Sequence, residues 1–203
     1  MLNDCLPMLR HKGSEGFSAV ELLIVCCIAG CIAAMAIPAS ANMVNEISLS
    51  GDAHGVSNSL ALARLTAAAN YTRTRLYVDR LTNQYRIEQW NKAAGAWQAV
   101  GGSSPLGTRN TFSSGAITVP PPNSQVAIGQ PTACLTAAGA AIGNTSCVLF
   151  NSRGVPIDTT GVPTATAVIY LGGPTAVYGV VIGTTSQLAM WRISPGGTTW
   201  SQR

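Results

Sequence analysis

Between Phe17 and Ile37 the chain runs for 21 residues with one charged side chain, Glu21. No other feature limits its fold as much. Wound as a helix at ~1.5 Å per residue, the run spans roughly 30 Å, the thickness of a bilayer's hydrocarbon layer. An acid at the centre of such a helix costs on the order of 2.5–3.5 kcal/mol on insertion scales, and less toward an end. Glu21 therefore calls for a partner. Arg10, His11 and Lys12 precede the run, and the segment after it is polar and poor in charge. That asymmetry predicts residues 1–16 on the cytoplasmic side and the bulk of the chain across the membrane.

Beyond the apolar run about 160 residues remain, enough for one domain with a real core. Charged residues are only 10% of the 203, while Gly, Ala, Ser and Thr abound, which suits a turn-rich exported domain rather than a solvated, disordered chain. From Pro38 onward ten Lys/Arg face five Asp/Glu, a mildly basic balance that permits a polyanionic partner without demanding one. Cys26, Cys27 and Cys31 lie inside the apolar run and Cys5 precedes it. The exported part holds only Cys134 and Cys147, which read as one disulfide worth about 3 kcal/mol, the other reading being two unpaired thiols.

Little in the sequence speaks for catalysis. The two histidines, His11 and His54, are too few for a zinc site, and no phosphate loop, dinucleotide fingerprint or serine elbow occurs. Asp79, Glu88 and Asp158 carry no spacing that proposes an acid/base pair. The expectation is a protein that is not an enzyme, with no metal and no cofactor.

Four mechanisms fit the N-terminal topology. Ala39-Ser40-Ala41 offers a secretory cleavage site, which would leave a soluble protein beginning at Asn42. Ile28-Ala29-Gly30-Cys31 has the look of a lipoprotein signal, and an uncleaved anchor explains the length alone. The fourth reading accounts for Glu21. Lys12-Gly13-Ser14-Glu15-Gly16 followed by Phe17-Ser18-Ala19-Val20-Glu21-Leu22-Leu23-Ile24-Val25 resembles the leader of type IV pilins and type II secretion pseudopilins. The resemblance implies cleavage by a prepilin peptidase after Gly16, N-methylation of Phe17, and glutamate at the fifth mature position. Pro38 falls where such pilins carry a helix-bending proline. A freed Phe17 amine, charged at neutral pH, would neutralise the Glu21 carboxylate of a neighbouring subunit in an apolar environment and set axial register. Phe17, Glu21 and Pro38 are thus the expected assembly residues.

Pro38 frees the carbonyl of Ala34 and predicts a kink. Ala53, Val56, Leu60, Ala63 and Ala67 form one stripe at helical spacing, with Gly51 and Gly55 favouring a bend and Asn70 and Tyr71 marking the helix end. Leu76 and Val78 then alternate against Tyr85 and Ile87 about a hairpin turn at Leu81-Thr82-Asn83. Further strands are expected at 96–100, weakly, at 117–119, and at 126–128, 147–150, 167–171, 177–182 and 188–193. The predicted class is α+β: a leader over 1–16, a membrane or filament-core half-helix over 17–37, a periplasmic half-helix over 38–72, and an antiparallel β-rich domain over 73–203.

Leu62-Ala63-Arg64 with Ala67-Ala68, Leu76-Tyr77-Val78, and Val148-Leu149-Phe150-Asn151-Ser152-Arg153-Gly154 resemble the FimT/GspH group of minor pilins and pseudopilins. That resemblance implies a subunit of the bacterial inner membrane that helps prime or tip a pilus or pseudopilus, with other minor and major pilins or pseudopilins as partners. Some members bind DNA for uptake through a basic stretch near the C-terminal hairpin; here that turn reads Thr184-Thr185-Ser186-Gln187-Leu188-Ala189, with Arg192 following. Arg64, Arg73, Arg75, Arg80, Arg86 and Arg192 are the candidate DNA contacts. The alternative is that they cap the helix, pair with Asp79 or Glu88, or solvate a face.

Overall fold

The computed structural model describes residues 18–164 and 166–203, with the side chains of 35–39 outside that description. Among the described residues one helix, α1 (Ala19–Ala69), is followed by nine strands. The chain divides into two compact units, Met1–Ser40 and Ala41–Arg203. Helix α1 continues through Pro38 at that boundary, but the proline side chain, and with it the predicted kink, lies outside the described residues. Gly16 and Phe17, the expected processing site, lie outside them too. Among the described residues no helix is long and apolar enough to cross a membrane.

In the second unit, α1 buries a stripe of Leu49, Ala53, Val56, Leu60, Ala63 and Ala67. The spacing of three and four puts all six on one face, so their burial, at about 25 cal/mol per Å² of apolar surface, holds the helix to the sheets. Gly55 has a packing reason to be small: a Cβ there would lie 2.6 Å from the Tyr85 hydroxyl. The helix ends in a Schellman turn. Thr72 N–H donates to the carbonyl of Ala67 at 3.2 Å, and Tyr71 takes the left-handed conformation with φ 49°.

Two antiparallel sheets pack on this stripe. The first has the order β3-β2-β1-β4-β5, from β1 (Thr74–Asp79), β2 (Gln84–Asn91), β3 (Ala96–Pro105), β4 (Thr145–Phe150) and β5 (Pro156–Ile157). The second runs β6 (Thr166–Gly172), β7 (Val177–Gly183), β8 (Leu188–Ile193) and β9 (Ser201–Gln202). The predicted hairpin is observed, and its register sets Leu76 opposite Ile87 and Val78 opposite Tyr85. These four join Val148, Phe150, Ile169, Leu171, Tyr178, Val180 and Ile182 around the helix stripe. The architecture is α+β, with both sheets antiparallel.

The outer faces are covered as well, which is why β7 reads as an unbroken apolar run. The irregular segment after β3 lays Ile117 over Val168, Tyr170, Val181, Ile193 and Trp200, while Cys134, disulfide-bonded to Cys147, packs over Tyr77, Leu149 and Ile157. The predicted strands at 117–119 and 126–128 are therefore absent. Pro120-Pro121-Pro122 removes the donors a ladder needs, and side chains take over the pairing. Trp200 Nε1 donates to Val119 O at 2.8 Å. Gln130 both donates to Tyr170 O (2.8 Å) and accepts from Tyr170 N (3.2 Å), closing the β6 edge as a strand would.

Candidate functional site

The N-terminal part of α1 is apolar and uncovered. Leu22, Leu23, Ile24 and Val25 occupy four consecutive positions, at 61%, 64%, 52% and 54% exposure. At 100° per residue these sweep nearly a full turn, so no face of the helix is shielded. Val20, Ile28 and Ile32 are exposed as well. A helix that is apolar all round belongs inside a membrane or among other helices.

Glu21 stands at the start of this surface. Leu22 N–H donates to the Ser18 carbonyl at 3.1 Å, which makes Ser18 the N-cap and Glu21 the third helical residue. Ser18-x-x-Glu21 is thus a capping-box spacing, and the positive end of the helix dipole favours an acid there by about 0.3–1 kcal/mol when exposed. Among the described residues no hydrogen bond or ion pair reaches its carboxylate.

A second acid on the helix is fully engaged. Glu46 accepts from Arg192 Nε at 2.6 Å and Nη2 at 3.2 Å, from the Tyr178 hydroxyl at 3.1 Å and from Thr175 Oγ1 at 3.1 Å. The Arg192 hydrogen bond, aided by Thr175 and Tyr178 against the opposing effect of burial, holds this carboxyl below its ordinary value. Sequence reasoning missed it, although a signal was present. Glu46 lies three residues before Leu49, on the same face as the buried stripe, and a carboxylate there requires a partner.

The six arginines proposed to meet DNA are not gathered into one free surface. Arg75 is buried and ion-paired to Glu88 through Nε at 2.7 Å, and its Nη1 donates to Leu135 O at 2.6 Å. Arg86 donates to the other Glu88 oxygen at 2.7 Å and lies 4.1 Å over the Tyr77 ring. Arg192 closes on Glu46. Arg64, Arg73 and Arg80 are exposed, but Arg64 donates to Ser186 O at 3.2 Å, bracing the 184–187 turn against the helix, and Arg73 lies 5.2 Å over the Trp90 ring. Among the described residues no group of three His, Cys, Asp or Glu could hold a metal, and His54 is an exposed helix residue.

The fold has a likeness among solved structures. The fold is similar to the minor pseudopilin EpsH from the type 2 secretion system of Vibrio cholerae, at a TM-score of 0.46 and 13% identity, over 73% of this chain and 98% of that one. No protein-family profile and no curated protein matches the chain.

Proposed function

We propose that this chain is a minor, FimT/GspH-like subunit of a type IV pilus or type II secretion pseudopilus, with a structural rather than catalytic role. The observation that carries the reading is the uncovered apolar helix with one carboxylate in its first turn, continuous with a helix stripe that forms the core of an α+β domain. In this reading a prepilin peptidase cuts between Gly16 and Phe17, and the new α-amine is N-methylated. The half-helix over 17–37 anchors the subunit in the bacterial inner membrane, with the β-domain in the periplasm. On docking, the helix moves into the filament core among other minor and major pilins or pseudopilins. Phe17's amine of one subunit meets Glu21 of its neighbour there, so an acid that is costly alone becomes satisfied on assembly.

Intact-mass measurement of the mature protein tests this directly. The expected product begins at Phe17 and carries one added methyl group. A product beginning at Asn42 would make the chain a secreted soluble protein, and an uncut chain would leave a plain membrane anchor. DNA capture is not proposed: Arg75, Arg86 and Arg192 already serve carboxylates.

A further inference from the structure

The outer face of the first sheet carries an arrangement that the Phe17–Glu21 pairing proposed above does not involve. Arg73, just before β1, and Arg75, Tyr77, Arg86, Glu88, Trp90 and Trp97 alternate outward along β1, β2 and β3, opposite the helix-facing Leu76, Val78, Tyr85 and Ile87. Trp90 and Trp97 form a cross-strand pair with ring centroids 5.3 Å apart at 71°. Arg75 sits 4.1 Å over Trp97, and Arg73 sits 5.2 Å over Trp90. Over this floor stands a small hairpin, residues 134–142. It is tied at its base by the Cys134–Cys147 disulfide and closed by Ile142 N–H to Cys134 O at 2.7 Å and Thr136 N–H to Ala140 O at 2.8 Å. Between hairpin and floor lies a cleft of about 150 Å³, whose chemistry comes from Arg73, Arg75, Trp90, Trp97, Thr136 and Thr159.

Three features fix what the cleft can hold. Its size is that of a single ring, well below the several hundred cubic ångströms of a drug-sized site. Its charge is positive. Arg75 and Arg86 share the one carboxylate of Glu88, and among the described residues Arg73 has no acid partner. Asp158, next to Thr159, is turned onto its own loop, its Oδ1 accepting from Thr160 and Val162. Finally, its polar side chains other than arginine are the hydroxyls of Thr136 and Thr159 and the indole N–H groups of Trp90 and Trp97. Thr136 Oγ1 accepts from Ala140 N–H and keeps its own proton to donate.

We infer that this cleft binds a carboxylated saccharide, a uronic-acid unit of an acidic polysaccharide. The apolar C–H groups of the sugar ring lie against the Trp90, Trp97 and Leu135 side chains that line the cleft, its hydroxyls meet Thr136 and Thr159, and its carboxylate takes the guanidinium of Arg73. An aromatic acid would fill the same volume but leave the hydroxyls unmatched. The inference is independent of processing and filament docking.

The test is a titration of the full chain in detergent micelles, followed by tryptophan fluorescence and by the indole N–H resonances. The probes are trigalacturonate, an alginate trimer, the methyl ester of trigalacturonate, and oligothymidylate, all at one salt concentration. Saturable binding of at least one acidic trimer is expected, with the Trp90 and Trp97 resonances shifting. Methyl esterification and Arg73→Gln should each weaken it about ten- to a hundredfold, the effect of losing a charged hydrogen-bonded pair. Arg80→Gln, an exposed arginine outside the cleft, should leave it unchanged. The thermal unfolding midpoint of Arg73→Gln should match the parent, because that side chain is exposed. No saturable response to either acidic trimer, equal binding of the ester, or indifference to Arg73→Gln would overturn the inference. Tighter binding of oligothymidylate than of both trimers would overturn it too and reassign the cleft to nucleic acid.

Discussion

At the scale of single residues, the seam where the two sheets meet the helix rests on Gly154. Its φ is +73°, and a Cβ there would lie 2.9 Å from Arg64 Cγ and 3.3 Å from the Arg64 carbonyl oxygen. The carbonyl of Gly154 accepts from Ser186 Oγ at 2.7 Å, and Ser186 O accepts from Arg64, so helix, first sheet and second sheet are joined within three residues. Gly154→Ala meets two penalties: a left-handed backbone, about 1–2 kcal/mol, and a steric clash with the helix. Gly139 separates them, since its φ is +85° but no atom lies within 4 Å of the site where a Cβ would stand. Urea denaturation should therefore show Gly139→Ala destabilised by about 1 kcal/mol and Gly154→Ala by about 2–3 kcal/mol. Equal losses would mean that Arg64 yields and the seam is soft. The sequence pattern ending in Gly154 was legible as a turn, whereas the reason for its glycine lies 90 residues earlier in Arg64 and belongs to tertiary packing.

At the scale of elements, α1 is clamped to the second sheet near its entry by Glu46 and near its end by Arg64. The clamp at Glu46 makes a pH prediction with a definite sign. Its folded pKa lies below the ordinary 4.5, so the stability it contributes is fully present above that value and is lost as pH falls through the folded value. Glu46→Gln should destabilise by about 1–2 kcal/mol at neutral pH, the pair being partly exposed to solvent. The gap between parent and variant should close as pH falls below about 4.5 and through the lowered folded value. Denaturant titrations across that range check it, and a gap that stays constant would exclude the ionised clamp. Other acids weaken the whole domain over the same range, but they do so in both proteins. Helix and strands with strong periodicity were readable in advance: the stripe from Ala53 to Ala67, the hairpin about 81–83, and the runs at β6 to β8. The segment after β3 was not. Ile117 and Ile128 looked like strand residues because they are apolar, but they cover an outer sheet face while Gln130 and Trp200 satisfy the backbone. Nothing in local spacing encodes such a cover.

At the scale of the whole molecule, the two units make opposite demands on solvent. The unit Ala41–Arg203 buries an apolar core on both faces of its sheets, though Met43, Val44, Ile47, Leu62 and Leu65 stay exposed on its helix, while the described part of the first unit exposes every one of its large apolar residues. A chain of this kind is complete only when something apolar surrounds its N-terminal helix. Lipid meets that demand without specificity, and Glu21 is the residue that would distinguish lipid from a docked neighbour. In lipid the acid is a penalty of up to about 2.5–3.5 kcal/mol at depth, so its loss favours insertion. Beside the charged amine of another subunit it is an attraction that fixes position, so its loss disfavours assembly. The two settings thus respond in opposite directions to one substitution. Glu21→Val should leave the membrane-bound pool equal to or larger than that of the parent and should deplete the sheared filament fraction at least about tenfold, as removal of a pair worth over 1.4 kcal/mol requires. Immunoblots of the two fractions from cells expressing each version make the measurement. A variant that enters filaments as readily as the parent would leave Glu21 with its capping role at the helix start, supplied by Ser18-x-x-Glu21, and would remove it from assembly.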